Sequence, residues 1–174
     1  MVAWFALTVA PRKEKITAQT LRQAGLEEFL PLYSTRRKWS DRIKKLENPL
    51  FPGYVFCRFE ARIRTAVMKT PGVVSVVSFG RNPEPVDEAE IEALQAVCRS
   101  GLAATPWPMP KVGSKVLLRE GPLKGLEGIF VEDKKTRLVL SLTLLQRAVA
   151  VEIDREWISP VRGMVVRFEG QPTG

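Results

Sequence analysis

The first hundred residues alternate between short apolar runs and segments with helical spacing of their apolar positions. Apolar runs of strand length, bounded by proline or glycine, predict buried strands. Apolar positions three or four residues apart predict helices. The predicted strands are Trp4–Val9, Glu28–Tyr33, Tyr54–Phe59 and Val73–Phe79, and the predicted helices are Arg12–Ala24, Arg62–Lys69 and one that Asp87 opens. This order predicts an α+β domain over residues 1–100, in which the helices pack on one antiparallel sheet.

Each predicted helix carries an apolar stripe that we expect to face the sheet. The stripes are Ile16, Leu21 and Ala24 in the first helix, Ile63 and Val67 in the second, and Ile91, Leu94 and Val97 in the third. Two helix boundaries also have sequence signals. Gly25 is expected to end the first helix, and Asp87 with Glu90 forms a capping-box pair at the start of the third.

The second half of the chain has a different pattern. Residues 101–110 are rich in Ala, Thr and Pro, and the stiff run Pro106–Pro110 is predicted to be an extended domain linker. Short strands then recur at close spacing, which predicts a small β-barrel over residues 111–162. The predicted strands are Lys115–Arg119, Leu126–Glu132, Arg137–Leu142 and Ala148–Ile153. Residues 163–174 form a tail, in which Met164–Phe168 could add a strand before a frayed end.

The most basic segment is residues 36–45, which contain six cations and one acid. Ser40-Asp41 has turn chemistry, so this segment is predicted to be a hairpin. Cations around Trp39 suit phosphate contacts combined with stacking on an unpaired base. The candidate nucleic-acid-binding residues are Arg36, Arg37, Lys38, Trp39, Arg42, Lys44 and Lys45, with Arg12, Lys13, Lys15 and Arg22 on the first helix. The alternative for both groups is a solvated surface that is charged for solubility.

Composition narrows the function classes further. The net charge of +8 and the pI near 9.8 favour a polyanionic partner, with nucleic acid as the first candidate. The absence of histidine removes the commonest general base and every zinc site that uses imidazole. The acids at 88, 90 and 92 lie in the first turns of a helix, where they favour its dipole, rather than in a catalytic cluster. We therefore expect no enzyme activity, no cofactor and no bound metal.

The two cysteines, Cys57 and Cys98, are far apart in the sequence and are expected to be small core residues. The apolar start of the chain has no basic residue before it, unlike a signal peptide, and no stretch reaches the ~18 apolar residues of a membrane span. We expect a cytoplasmic monomer that does not bind membranes.

Two motifs resemble a known family. Gly121-Pro-Leu-Lys-Gly-Leu-Glu-Gly128 is similar to the KOW motif, and the segment from Val112 to Val161 fits that module. The first half independently resembles the N-terminal domain of NusG, through Trp4-Phe5, Phe51-Pro-Gly-Tyr-Val-Phe56 and Thr70-Pro-Gly-Val-Val74. The two resemblances occur in the family's order and together span roughly residues 3 to 162. The chain is therefore identified as a member of the NusG family.

The resemblance implies a site that binds the clamp helices of RNA polymerase. The matching residues are Trp4, Phe5, Phe51, Tyr54 and Phe56, with Thr65 in the position of a gate-loop contact. Strand alternation places Tyr54 and Phe56 on one face of the sheet, and we expect that face to meet the polymerase. The alternative is that these aromatic rings are core. The basic hairpin is expected to lie near upstream or non-template DNA.

The loop Leu144-Leu-Gln-Arg147 would bind the KOW partner. The family usually has Phe-Gly where this chain has Leu145-Gln146, so its contacts with Rho and a ribosomal protein are put in doubt. This version resembles specialised paralogs that are related in role to RfaH and act on polysaccharide operons. The function implied is processive transcription elongation and antitermination. The alternative is a ribosome- or RNA-binding KOW protein that does not bind polymerase.

Overall fold

The computed structural model describes the backbone of residues 1–167 and the side chains of residues 1–161. It divides into two compact units, Met1–Ile91 and a second that begins at Glu92. The elements of residues 1–100 are β1 Val2–Val9, α1 Glu14–Gln23, β2 Glu27–Phe29, β3 Leu32–Trp39, β4 Arg42–Pro49, β5 Tyr54–Glu60, α2 Arg64–Met68, β6 Val73–Val76, β7 Ser78–Phe79, β8 Asn82–Pro83 and α3 Glu88–Ser100. Helix α3 begins in the first unit and ends in the second. No helix in these described residues is both long and apolar enough to cross a membrane.

The first unit is built on a four-stranded antiparallel sheet with strand order β2-β5-β1-β6. β1 pairs with the whole of β5 from Val2 to Thr8, with Phe5 opposite Cys57 and Leu7 opposite Val55. These four side chains share one sheet face and are buried with residues of α1 and α2. The predicted α+β architecture, with helices packed on one antiparallel sheet, is confirmed for this unit.

Helix α1 turns a different face to the sheet from the one predicted. Leu21 is buried as expected, but Ile16 is 58% exposed and Ala24 is also exposed. Their places in the core are taken by Thr17 and Ala18. Thr17 fits there because Gly72 has no side chain: a Cβ on Gly72 would lie 2.2 Å from Thr17 Oγ1. The hydrophobic pattern alone favoured Ile16 over this small polar residue.

Two predicted strands are broken in the structure. The single strand expected over Glu28–Tyr33 is wrong, because Pro31 separates β2, which pairs with β5, from β3, which pairs with β4. The strand expected over Val73–Phe79 ends at Val76, and β7 pairs instead with β8 in a separate small hairpin. The three expected helices are present, and the backbone N–H of Ala89 donates to the Asp87 carboxylate at 2.9 Å, which caps α3.

The second unit contains a six-stranded antiparallel sheet with strand order β14-β10-β11-β12-β13-β9. Its strands are β9 Ala104–Trp107, β10 Val112–Leu118, β11 Glu127–Glu132, β12 Thr136–Leu142, β13 Arg147–Glu152 and β14 Ile158–Arg167. The four strands predicted between 115 and 153 are all present. The predicted tail strand lies within β14 as far as Arg167, while Phe168 and the predicted frayed end fall outside the described residues.

The predicted linker is partly wrong, because Ala104–Trp107 pairs with β13 as a strand of this sheet. Proline is compatible with this role since β9 is an edge strand, and a residue without an N–H can sit where no ladder bond is needed. The Trp107 ring also receives the Arg137 guanidinium, whose carbon lies 4.8 Å from the ring centroid. This segment is therefore extended, as predicted, but it belongs to the second unit.

The Gly-Pro turn between β10 and β11 has a backbone that requires glycine. Gly121 has φ +83°, and a Cβ there would lie 2.8 Å from the Trp157 ring. The turn closes through the Gly125 N–H, which donates to the Leu118 carbonyl at 2.8 Å. The glycine spacing noticed in the sequence thus has a local steric cause.

Candidate functional site

The aromatic residues predicted to bind a partner form a buried layer in the first unit. Phe56 is fully buried, and its ring lies 5.8 Å from the Phe51 ring in an edge-on arrangement and 6.2 Å from the Phe29 ring. Trp4 is buried on the same sheet face, since it is opposite Arg58 and two residues from Ala6, the partner of Phe56. Phe5 lies on the other face, where it packs 4.7 Å from Phe59.

These positions correct the expected orientation of the site. Tyr54 and Phe56 do share a face, as predicted, but the expectation that Phe56 is exposed to a partner is wrong in this structure. Phe51 and Phe29 pack against Phe56 on this face, and Glu88 at the start of α3 reaches Arg58 there, with 3.6 Å between Oε1 and Nη2. Trp4, Phe5, Phe51 and Phe56 are therefore core residues, and Tyr54 alone among the aromatic residues of the predicted site is partly exposed.

Thr65 is exposed on α2, but it does not join Tyr54 in one surface. Tyr54 lies on the sheet face that carries Phe56, whereas α2 packs through Val67 against the opposite face, with Phe5 and Leu7. The predicted set thus separates into a buried layer and two surface positions on opposite sides of the sheet.

A buried acid that the sequence reasoning missed holds the turn before Tyr54. Glu14, in the first turn of α1, accepts a hydrogen bond from the Gly53 N–H at 3.0 Å. The Gly53 carbonyl in turn accepts from the Val9 N–H at 2.9 Å, and Gly53 has φ +85°. The signal available in the sequence was an acid at the start of a helix, which is common and says nothing about a distant partner.

The predicted basic hairpin is confirmed as β3 and β4, joined by Ser40 and Asp41. Ser40 adopts φ +38°, which a two-residue turn requires. Every residue from Arg36 to Lys45 is exposed, including Trp39 at 59% and Ile43 at 67%. Directly opposed residues share a face of the ribbon, so the register divides these side chains between two faces.

The six cations of the hairpin outnumber its one acid, Asp41. None of the ion pairs in the described part of the chain includes any of the six. In addition, Arg36 is opposite Lys45 and Arg37 is opposite Lys44, so two like-charged pairs face each other across the strands. Like charges in this position destabilise a sheet. A bound polyanion would relieve this repulsion.

The predicted cations near α1 differ in their availability. Arg12, Lys13 and Lys15 are exposed, and Arg12 has φ +63° in the turn that precedes the helix. Arg22 instead pairs with Glu28, with 2.5 Å between Nη2 and Oε1. Arg22 is thus neutralised locally, whereas the other three form no ion pair among the described residues.

In the second unit, the predicted partner-binding loop connects β12 to β13. A short 3₁₀ turn over Thr143–Leu145 leads into Gln146, whose φ of +52° reverses the chain. Leu144 and Leu145 are half-buried, and Gln146 and Arg147 are exposed. The Gln146 side-chain amide donates to the Thr143 carbonyl at 2.8 Å. The loop therefore presents a polar tip on an apolar base.

The described residues contain no group of three acids and cysteines placed to hold a metal ion. Burial raises the pKa of the Cys57 thiol to about 12, which keeps it protonated at neutral pH. The prediction that both cysteines are core residues is confirmed for Cys57 and wrong for Cys98, which is exposed at the end of α3.

The protein thus belongs to a two-unit class: an antiparallel α+β unit with an exposed basic hairpin is followed by a second unit made of short strands. The family model described as "Transcription termination factor nusG" matches residues 2–95, more than half of the chain, and the chain belongs to the NusG family.

Similar proteins agree with this family. The chain is 26% identical over 166 residues to the transcription termination/antitermination protein NusG of Vibrio vulnificus, covering 87% of this chain and 91% of that protein. It is 25% identical over 173 residues to the NusG of Lactococcus lactis, covering 91% and 93%. A structure of Thermotoga maritima NusG covers 93% of this chain and 98% of that one, with a TM-score of 0.56 and 18% identity, which supports the fold.

Proposed function

We propose that this protein is a non-enzymatic transcription elongation and antitermination factor that binds RNA polymerase through its first unit. The observation that carries the proposal is the family match over residues 2–95, which covers the whole four-stranded sheet and its hairpin. A factor of this kind acts by binding one state of the polymerase in preference to others, so it needs a rigid surface rather than a catalytic group.

The polymerase clamp contact is centred on Tyr54. Its ring is the aromatic residue that remains partly exposed, and the buried layer of Trp4, Phe51 and Phe56 fixes the strand beneath it. A ring held by a rigid strand provides contact area with little loss of conformational entropy. Thr65 forms a second, separate contact from α2. Phe5 acts through the core on the opposite face.

The hairpin and the exposed cations near α1 lie beside upstream or non-template DNA. Their unpaired positive charge supports this placement.

The second unit is a KOW barrel that recruits a further partner through Leu144–Arg147. Its short antiparallel strands and its strict Gly121 turn support the assignment. Leu145-Gln146 in this loop supports a specialised paralog, with a role like that of RfaH, over a housekeeping factor. Tethering the unit to a polymerase-bound domain raises the effective concentration of its partner.

Co-purification tests the function. The full chain, tagged and expressed in bacteria, should retain core RNA polymerase after nuclease treatment, and the Tyr54→Ala variant should retain much less. Tyr54→Phe is the matched control, because it keeps the ring. Retention of ribosomes or ribosomal RNA without any core polymerase would overturn the proposal in favour of an RNA-binding KOW protein.

A further inference from the structure

The β3–β4 hairpin has two faces that carry equal charge but different apolar side chains. Alternate residues of a strand point to opposite faces, and cross-strand partners share one face. One face, the Trp39 face, carries Trp39, Arg37, Arg42 and Lys44, and the other, the Ile43 face, carries Ile43, Arg36, Lys38 and Lys45. Each face therefore has three cations around one exposed apolar side chain.

The difference between the faces is the chemistry of that apolar side chain. Trp39 offers a flat indole that is 59% exposed, while Ile43 at the same end of the ribbon is a branched aliphatic chain that is 67% exposed. An indole stacks on an unpaired nucleobase, and an isoleucine does not. Trp39 is directly opposite Arg42, and Arg37 and Lys44 form the next pair on that face, about 7 Å further along the ribbon.

We propose that the Trp39 face of this hairpin binds single-stranded nucleic acid, with one unpaired base stacked on Trp39 and the adjoining phosphates held by Arg37, Arg42 and Lys44. The Ile43 face adds only long-range attraction. The inference rests on the proposed function in that it names the ligand of the hairpin in a polymerase-bound factor. It concerns binding by the protein alone, so it can be tested without polymerase.

The arrangement favours a single strand over a duplex and over a membrane. A duplex stacks its bases internally, so it would use the cations but leave the indole without a partner. An anionic membrane would require a broad apolar surface to insert, whereas this end of the hairpin offers two apolar side chains, Trp39 and Ile43, among six cations. A single strand uses both the indole and the cations of the Trp39 face. Its phosphates also reduce the repulsion between Arg37 and Lys44.

Equilibrium binding of the full chain to a fluorescent 12-nucleotide single strand, in DNA and RNA versions, measures the proposed site. We expect Trp39→Ala to weaken binding by about 5- to 140-fold, the range set by loss of one stacked base. Trp39→Phe should recover most of the affinity. Ile43→Ala is the matched control and should change affinity by less than about twofold. Circular dichroism confirms that each variant is folded.

Two double variants that have the same net charge as each other compare the cations of the two faces. Arg37→Gln with Lys44→Gln removes two cations from the Trp39 face, and Arg36→Gln with Lys45→Gln removes two from the other. The first pair should weaken binding more and should lower the slope of affinity against salt by about 1.4, the value for two phosphate contacts on a single strand.

Several outcomes would overturn the inference. These are equal losses for Trp39→Ala and Ile43→Ala, equal losses for the two charge variants, tighter binding to a duplex of the same sequence, and tighter binding to vesicles of anionic lipid. The comparison of DNA with RNA identifies which strand the face prefers. If the protein binds core polymerase but gives any of these outcomes, this inference is contradicted and the proposed function stands. If it binds a single strand as expected but does not bind core polymerase, the proposed function is contradicted and this inference stands.

Discussion

Replacing Phe56 with alanine tests whether the strand after the Phe-Pro-Gly turn is core or contact surface. The Phe56 side chain is fully buried between the rings of Phe29 and Phe51. Removing a buried phenylalanine costs about 3–5 kcal/mol when the site cannot collapse, and each ring contact contributes about 0.5–1.5 kcal/mol of this. We expect about 4 kcal/mol here, because Phe29 is fixed on the paired strand β2 and Phe51 is itself buried, so neither ring can easily close the cavity.

Amide hydrogen exchange followed by mass spectrometry locates this loss in the first unit. Exchange in peptides that cover β1 and β5 should accelerate by about 700-fold, which corresponds to about 4 kcal/mol. Peptides from β12 and β13 should change little, since they belong to the other unit. Phe79→Ala is the matched control, because the same side chain is removed from a site that is 83% exposed, and it should cost less than about 0.5 kcal/mol.

A change below about 1 kcal/mol for Phe56→Ala, or equal effects of the Phe56 and Phe79 variants, would refute the assignment of Phe56 to the core. The result also decides how polymerase-binding variants are to be interpreted. If Phe56→Ala unfolds the sheet, then its loss of binding says nothing about a contact, and Tyr54 has to be tested by itself.

Three further predictions concern other parts of the structure. Gly121→Ala should lower the thermal unfolding free energy of the second unit by about 2–4 kcal/mol, measured by calorimetry, because it combines a left-handed backbone with a steric clash; an unchanged midpoint would contradict this. At pH 8 iodoacetamide should label Cys98 in the folded protein but Cys57 only in urea, because burial shields the Cys57 thiol and raises its pKa. Labelling of both cysteines without urea would contradict the burial of Cys57. Glu14→Ala should cost about 1–3 kcal/mol in urea unfolding, since it leaves the Gly53 N–H without an acceptor, whereas Glu14→Gln should cost less; equal losses would exclude the hydrogen bond as the cause.

The elements of the fold were predictable where one local signal dominated. Asp87 caps α3 and Ser40-Asp41 turns the hairpin, because both depend on residues adjacent in sequence. The predictions failed where contacts between residues distant in sequence determined the structure. Thr17 replaces Ile16 in the core since a distant glycine leaves room for it, and β9 joins the second sheet since β13 has a free edge. Neither cause can be read from the residues around the element itself.

The candidate site was predictable in part for the same reason. The charge of the hairpin and its two faces follow from composition and strand alternation. Alternation also placed Tyr54 and Phe56 together, but it could not say that Phe29 and Phe51 pack against Phe56, since both rings come from outside β5. The sequence could not show the role of Glu14 either, because its partner is the backbone N–H of Gly53, which is far away in the sequence.

Equilibrium binding of the purified full chain to core RNA polymerase tests the central claim most directly. The proposed function predicts saturable binding that Tyr54→Ala weakens by at least about tenfold, as for a central aromatic contact, while Tyr54→Phe keeps most of the affinity. Hydrogen exchange in β5 should be the same for the three proteins, which excludes a folding effect. Absence of binding to core polymerase by the folded wild-type chain would contradict the account.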